Sequence, residues 1–473
     1  MLSFGEMLDV LMKQHNFKNK DIYSKLGMSK SYFCRLKKGD IPPKNYELVR
    51  ELVEVLELPN YEKQLLINAY KYTKLGDAFC NTEKSIEKLY SIKLPAFKKY
   101  ADKISQNYKD DIVIKGMESI AEAVAGLINC SPHIDCLFIP ENIAFCNMIK
   151  EISINKSNIS WLVYLEDKEK TQSNISIFYE TISLLFSHEI EVRYLYKSVD
   201  DYYQCTVFPY VFISDNEMIL IDRKCETAFR FNDQLFINSY RDNLQAQFNV
   251  SNPFLMVLTG FEEYLENWEY IFGSADVPNS DDLLIVEKTP CIIHEAKHSE
   301  VSSHIADIEN NDRLASIYFK FLKWSTQRLR KQEMMFTIDG IHKYFTADTF
   351  HEYSRHLTKS IPKPLRTQLF GRLIELSKKS NSLLPRIMSD FPFEESNLRV
   401  INIWKSGIVL IVFDFEEAFR VVVMQEKTIS STMWNYFQDL KACGIVLSEK
   451  ESIQIMEKEY NNQIEMNKKN LEI

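Results

Sequence analysis

The sequence predicts a multidomain protein. An all-α helix-turn-helix domain stands at the N-terminus, and an α/β (α+β) C-terminal region built of two duplicated units follows it. Three observations predict this. Two short helical segments meet at a glycine within a basic stretch, FKNKDIYSKLGMSKSYFCRLKKGD, residues 17–40. From about residue 113, helical patterns alternate with apolar strand-like runs, the signature of an α/β arrangement. A strand–turn–strand–turn–strand–helix pattern then occurs twice, at 211–248 and at 400–443.

The bulk composition sets the limits. A chain of 473 residues exceeds one ordinary core, so several domains are expected. A hydrophobic content of 45% with 26% charged residues is ordinary globular composition and excludes a disordered chain. The net charge of −9 disfavours nucleic-acid binding by the surface as a whole. It does not exclude one local basic face, and the charge is uneven. Residues 1–75 hold 13 Lys+Arg against 9 Asp+Glu, which leaves −13 for the remainder. Residues 18–44 alone carry eight cations against Asp21 and Asp40. The nine cysteines form no C-x-x-C pair and read as free thiols of a reducing, cytoplasmic compartment. Glu6 and Asp9 interrupt the first apolar stretch, which is therefore not a signal peptide. Apolar runs such as GIVLIVF at 407–413 are too short to span a bilayer, so no membrane partner is expected.

The N-terminal domain, 1–75, reads as five helices. Ser3 and Glu6 have capping-box spacing before an apolar stripe of Phe4, Met7, Leu8, Leu11 and Met12. Lys18 to Leu26 is a second helix that Gly27 ends, because only glycine enters the left-handed region without a Cβ penalty. Ser29 caps a third helix, Lys30 to Lys38, closed by Gly39. Pro43 suits the first turn of a fourth, and Glu62 to Tyr72 forms a fifth. Two short helices across a glycine turn are the arrangement that sets the second helix into the major groove of DNA. Phe33 and Leu36 face inward at i and i+3. Lys30, Ser31, Tyr32 and Arg35 are left outward to meet base edges, with Lys37, Lys38, Lys44 and Asn45 near phosphates. The competing reading is a helical bundle for protein contact. Periodicity, glycine placement and local charge together favour DNA.

This stretch, with ELVRELVEVLELP after it, resembles the Cro/phage-repressor-type (XRE-type) helix-turn-helix domain. Asn19 stands where that family usually has an amide, and Leu26-Gly27, Met28-Ser29 and Lys38-Gly39 match its pattern. Tyr23 replaces its usual small residue and Lys37 its usual acidic one. The resemblance covers about the first 72 residues. It implies a bacterial transcriptional regulator in which Asn19, Lys30, Ser31, Tyr32 and Arg35 approach a double-stranded DNA operator. One small reader reaches few base pairs, so a homodimer on two half-sites is expected.

Residues 76–112 read as a helical connector and 113–250 as a first α/β unit. In that unit the helices are Ile114–Ile128, Ile143–Ile152 and Ile175–Ser187, and the strands are Ile134–Ile139, Ser160–Tyr164 and Glu191–Tyr196. Residues 251–334 read as a mostly helical connector with one strand at Leu283–Glu287. Residues 335–473 read as the second unit, ending in a charged, frayed helical tail after Glu449. The segments ETAFRF (226–231) and EEAFRV (416–421) lie at matching places and argue for duplication. The aromatic stripe of 254–272 reads as core, or as a dimer contact. The segment 336–366 resembles a recurring piece of large clostridial-type regulators of the XRE class.

One enzyme reading is weighed and set aside. His294-Glu295-x-x-His298 has zinc-peptidase spacing, and His304 stands where a third ligand can fall. Val301 occupies the place where the chain must turn back, usually on glycine. Pro290 starts the helix only just before His294, and Lys297 brings a cation next to the supposed metal. No phosphate-cradling loop, G-x-S-x-G, or phospholipase-type pattern of two histidines and a lysine is present. No cofactor and no enzymatic activity are expected. The α/β region is expected to dimerise, bind a small effector, or contact another protein.

Overall fold

The computed structural model describes residues 1–90, 112–151, 158–167, 172–185, 190–272, 282–292, 332–347, 359–379, 383–389, 398–403, 407–415 and 418–469, with isolated residues between 297 and 316. Five helices open the chain: α1 (Phe4–Gln14), α2 (Asn19–Lys25), α3 (Lys30–Lys37), α4 (Tyr46–Val55) and α5 (Asn60–Tyr90). The Ser3–Glu6 capping box is present, with both reciprocal bonds made. Helix α4 begins later than Pro43 suggests. Asn45 is its cap, accepting from the Leu48 N–H at 3.2 Å, a role proline cannot fill. Helix α5 does not stop at Tyr72. It continues to a break at Gly76 (φ +81°, ψ −177°), and a second helical arm runs from there to Tyr90.

The described residues after α5 form one mixed sheet with helices on its faces. In chain order come β1 (Val113–Lys115), α6 (Met117–Cys130), β2 (His133–Leu137), α7 (Ile143–Glu151), β3 (Asn158–Leu165), α8 (Gln172–Leu185), β4 (Ile190–Tyr196), α9 (Val199–Cys205), β5 (Tyr210–Ile213), β6 (Met218–Ile221), β7 (Thr227–Phe231) and α10 (Gln234–Val250). Then come β8 (Asn252–Leu258), α11 (Phe261–Phe272), β9 (Leu283–Val286), β10 (Gln332–Thr337), α12 (Ile338–Thr346), α13 (Lys363–Lys379), β11 (Leu383–Met388), β12 (Leu398–Ile403), β13 (Ile408–Phe415), β14 (Ala418–Gln425), α14 (Lys427–Ala442) and α15 (Glu449–Lys469).

The fourteen strands lie in the order β1-β7-β6-β5-β2-β3-β4-β8-β14-β13-β12-β9-β10-β11. The first seven and the last seven follow the same spatial order. In each block three strands run parallel (β2, β3, β4; β9, β10, β11) and the others pair antiparallel. The two Ala-Phe-Arg segments fall in corresponding strands, β7 and β14.

Three expectations are corrected. Ile114 belongs to β1, and helix α6 starts only at Met117, because Gly116 takes a φ of +89° between them. Residues 251–334, expected to be mostly helical with one strand at Leu283–Glu287, have that strand as β9 but also contribute β8 and the start of β10 to the sheet. Strand β8 sends Phe254 and Leu255 into one buried cluster and Met256 and Leu258 into the other, so it lacks the alternation that marks a half-exposed strand. The tail after Glu449 is the 21-residue helix α15. Its Ser452 and Met456, one turn apart, are buried, and Ser452 Oγ accepts from the Ile387 N–H at 2.9 Å.

The two blocks join where β4 meets β8 antiparallel, with a register shift between Val192 and Arg193. Beside this seam sits Glu426, 1% exposed. Its carboxyl caps α14, accepting from the backbone N–H groups of Thr428 (2.8 Å) and Ile429 (2.7 Å) and from the Thr428 hydroxyl (2.8 Å). It also accepts the Tyr196 hydroxyl from the end of β4. Asn174 of α8 donates to Thr428 Oγ1 at 2.8 Å and to the Glu166 carbonyl at 2.8 Å. The first block is thereby hydrogen-bonded to the second through the buried side chains of Glu426, Asn174 and Thr428 and the more exposed Tyr196.

Gly340, in the first turn of α12, answers a close approach. A Cβ there would stand 1.7 Å from the Lys288 carbonyl oxygen. The same carbonyl accepts from the Thr337 N–H (3.2 Å) and hydroxyl (3.1 Å), so it cannot retreat without losing both bonds. Gly340→Ala is therefore expected to lower stability by about 1–3 kcal/mol or more, seen as a lower midpoint in chemical unfolding. Gly260→Ala, where nothing lies within 4 Å of the new Cβ, is expected to change it by no more than about 0.5 kcal/mol.

Candidate nucleic-acid interface

Two glycine turns build the site. Helix α2 ends with Gly27 at φ +63°, the Gly27 N–H bonded to the Ser24 carbonyl (3.2 Å) and the Met28 N–H to that of Tyr23 (2.9 Å). Helix α3 ends in the same way, with Gly39 at φ +78°, Gly39 N–H to Leu36 (3.1 Å) and Asp40 N–H to Arg35 (3.0 Å). Both are Schellman closures, which satisfy the last carbonyls of a helix and turn the chain sharply. Between them Ser29 Oγ accepts from the Tyr32 N–H at 3.2 Å and starts α3.

Helix α3 is held from its inner face. Phe33 and Leu36 are 0% exposed, and Ile22 of α2 is 2% exposed. Tyr23 is accommodated by lying against Phe33, ring centroids 6.3 Å apart. The backbone of α1 comes close enough to α3 that a Cβ on Gly5 would stand 2.5 Å from Gly39 N and 2.6 Å from the Leu36 carbonyl oxygen. The sequence pattern does not mark Gly5, because the contact is between residues far apart in the chain.

The predicted site residues divide into two groups. Lys30, Ser31, Arg35, Lys38 and Lys44 are exposed. None of the four cations among them makes an ion pair among the described residues. Asn19, Tyr32 and Lys37 are half-buried. Tyr32 packs against the core. Lys37 Nζ reaches Asp9 of α1 at 2.8 Å and donates to Asn19 Oδ1 at 3.3 Å. These two are thus in contact with each other and occupied in joining α1, α2 and α3. Asn45 is occupied by its cap. Cys34, half-buried on the outer side of α3, was not singled out from the sequence and shares the exposed face with Lys30 and Arg35.

Helix α5 seats this domain on the sheet. Tyr70 donates its hydroxyl to the Cys443 carbonyl at 2.6 Å, and burial pushes its own pKa above the ordinary tyrosine value. Lys71 and Glu83, 1% and 7% exposed, pair at 2.8 Å across the Gly76 kink. Glu83 also accepts the Tyr436 hydroxyl at 3.2 Å, and the Phe79 and Tyr436 rings stack at 5.1 Å. Ser85 meets Ser176 of α8 at 3.4 Å. The buried apolar cluster runs unbroken from Phe4 and Leu8 through Tyr70 and Ile86 into the first block and α14.

Of the zinc-like motif, His294, Glu295 and His298 lie outside the described residues. His304 is placed, with its carbonyl accepting from the Lys359 N–H at 2.7 Å. Glu300, beside it, forms a two-pronged pair with Arg372 at 2.8 Å on each arm, and this guanidinium holds its carboxyl below the ordinary range. Among the described residues no group of three His, Cys, Asp or Glu could hold a metal ion, and no helix is long and apolar enough to cross a membrane. All nine cysteines are free.

A scan against protein-family models finds no match, and a search of curated proteins finds none. Among solved structures the chain is similar to TrmBL2, an archaeal chromatin protein described as showing a novel mode of DNA binding. The identity is 15%, over 30% of this chain and 53% of that one, with a TM-score of 0.20. It is also similar to polyphosphate kinase from Porphyromonas gingivalis, at 8% identity over 69% of this chain and 50% of that one, with a TM-score of 0.20. The chain spans about half the length of each protein, and at these scores neither likeness decides fold or function.

Lys71→Met would leave Glu83 buried without its cation, which is expected to cost about 3–5 kcal/mol. Adding Glu83→Gln should restore much of that, since the amide oxygen still accepts from Tyr436. A double-mutant cycle in chemical unfolding reads the difference. A second expectation concerns pH. Hydrogen bonds from Lys13 and then Lys37 hold the Asp9 carboxyl below its ordinary value. Its stabilisation of the α1–α3 contact is therefore present above the unfolded pKa of about 3.9 and lost as pH falls through the lower folded value. The stability gap between the wild-type chain and Asp9→Asn should close over that acid window.

Proposed function

We propose that this chain is a sequence-specific DNA-binding transcriptional regulator of the Cro/phage-repressor type. The observation that carries the reading is the outer face of α3 and the loop after it. Lys30, Arg35, Lys38 and Lys44 stand exposed and without acidic partners, while the neighbouring cations Lys37 and Lys13 are spoken for by Asp9. A protein of net charge −9 that keeps four unpaired cations on one helix-and-loop face is suited to a polyanion there. The face also has the geometry of a groove reader, a short helix presented by its N-terminal half and backed by Phe33 and Leu36.

In this reading Lys30 and Arg35 donate to base acceptors and Ser31 to either a base or a phosphate. Lys38 and Lys44 neutralise phosphates. Asn19 and Lys37 act through position: their mutual bond, with Asp9, sets the angle of α3. A homodimer supplies two readers for two half-sites. The sheet region serves sensing, dimerisation or contact with another protein, and no enzymatic step is assigned to it. The matching strand order of the two seven-strand blocks supports a duplication, with the second unit starting at β8.

The test is a binding selection from random duplexes followed by titration at several salt concentrations. Lys30→Ala or Arg35→Ala should weaken the selected site by about 1–3 kcal/mol, roughly 5- to 150-fold, and relax the preferred base at one position. Lys38→Ala should weaken selected and random duplexes alike and reduce the salt slope by about one. Unchanged affinity in both Lys30→Ala and Arg35→Ala would refute α3 as the reading helix.

A further inference from the structure

We propose that Asp9 is a specificity-determining residue of the DNA interface, one that withholds the charge of Lys37 from the phosphate backbone. This rests on α3 reading DNA as proposed above, and adds to it an acidic residue that lies on another helix, α1. The Asp9 carboxylate gives one oxygen to each of two lysines. Its Oδ1 meets Lys37 Nζ at 2.8 Å, and its Oδ2 meets Lys13 Nζ at 2.6 Å. The two cations are not equivalent. Lys13 stands one turn along the same helix with its side chain 75% exposed, a surface pair of small effect. Lys37 comes from α3, its side chain is 23% exposed, and it also donates to Asn19 Oδ1 at 3.3 Å. Its ammonium is thus fixed from two sides, by α1 and by the first residue of α2.

The place where Lys37 is fixed gives the contact its meaning. Asn19 opens α2, and in a helix-turn-helix the helix before the reader crosses the sugar–phosphate backbone. Lys18 and Lys20, on either side of Asn19 in the chain, are exposed and make no ion pair among the described residues. Lys37 therefore stands at a helix end that carries two further lysines, and its charge, unlike theirs, is already met. Asp9 is itself partly exposed, and hydrogen bonds from Lys13 and then Lys37 hold its carboxyl below the ordinary value, so it is ionised at neutral pH. A phosphate that approaches Lys37 must displace this carboxylate and is repelled by it.

Two effects coincide at this one carboxylate. A phosphate contact adds affinity for every sequence alike and adds to the salt dependence, whereas base contacts discriminate. Holding Lys37 back lowers the affinity for random duplex without touching the base-facing side chains of Lys30 and Arg35. The same bond ties α3 to α1 and α2, so it also fixes the helix that presents those side chains. Loss of Asp9 frees a cation for the backbone and loosens the reader together, and both changes favour random sequence over the selected site.

Titration of the full chain with selected and with random duplex, each at several salt concentrations, tests this. Asp9→Asn keeps the shape of the side chain and removes its charge. It should tighten the binding of random duplex and steepen the slope of log K against log salt by about 0.9, the counterion release of one further phosphate. The ratio of affinities for selected and random duplex should fall. In a Lys37→Met background the same change should add nothing to the slope, since no cation of α3 is left to release. Asp9→Ser, whose hydroxyl still accepts from Lys37, is a second variant with the same expected shift, and circular dichroism shows that folded protein is compared. An Asp9→Asn chain that binds random duplex no more tightly than the wild type overturns the proposal and leaves α3 as the reader. So does a slope that steepens equally with and without Lys37, which is the mark of net charge alone. A wild-type chain that binds no duplex overturns both readings.

Discussion

The buried carboxyl of Glu426 is the interaction on which most of the architecture depends. Fourteen strands form one sheet only because β4 and β8 meet, and that meeting is a short antiparallel contact with a register shift in it. Such a seam is weak by itself. Glu426 strengthens it by ending α14 and receiving Tyr196 from β4 at the same point. Among the described residues no cation pairs with it. Its charge is spread over two backbone N–H groups at a helix start and two hydroxyls, the arrangement that lets a carboxyl remain buried without a salt bridge. Because α8 and α14 both touch α5, the seam also decides where the N-terminal domain sits.

That seating distinguishes this N-terminal domain from one tethered by a loose linker. Tyr70, Phe79 and Glu83 come from α5 and meet residues more than 350 positions away in the chain. The ion pair of Lys71 and Glu83 is nearly sealed from water, so neither partner can leave without stranding the other. It also spans the kink at Gly76 and ties the two arms of α5 together on either side of the residue that interrupts it. Buried pairs of this kind contribute less to net stability than to holding a single arrangement. Here the arrangement held is the angle between a helix-turn-helix and the sheet below it.

How much of this was legible in the sequence follows the range of each interaction. Ser3, Gly27, Ser29 and Gly39 could be read because a cap or a turn is made by residues within a few positions of each other. The two strand meanders were legible for the same reason. Strand β8 was not, since a strand covered on both sides shows an unbroken apolar run that a helix would also show. Gly5 and Gly340 looked like ordinary helix glycines; only the opposing backbone of Gly39 or Lys288 shows why a methyl group cannot fit. On the candidate interface, burial of Phe33 and Leu36 followed from spacing, but the bond of Lys37 to Asp9 and Asn19 joins three helices and leaves no local pattern. The outward cations were legible by elimination from the apolar face, and their lack of acidic neighbours was not.

The kinked, doubly anchored α5 has one more consequence. A DNA reader on a floppy tether accepts two half-sites at many separations, because the tether absorbs the difference. A reader docked against its own sheet through Tyr70, Phe79 and Tyr436 behaves as one arm of a caliper. If α3 reads DNA in a dimer, as proposed, the distance between it and the α3 of a second copy is then a property of the protein, and inserting a few base pairs between half-sites would rotate one of them out of reach. For such a molecule, the length of DNA between two sites carries as much information as the bases within them.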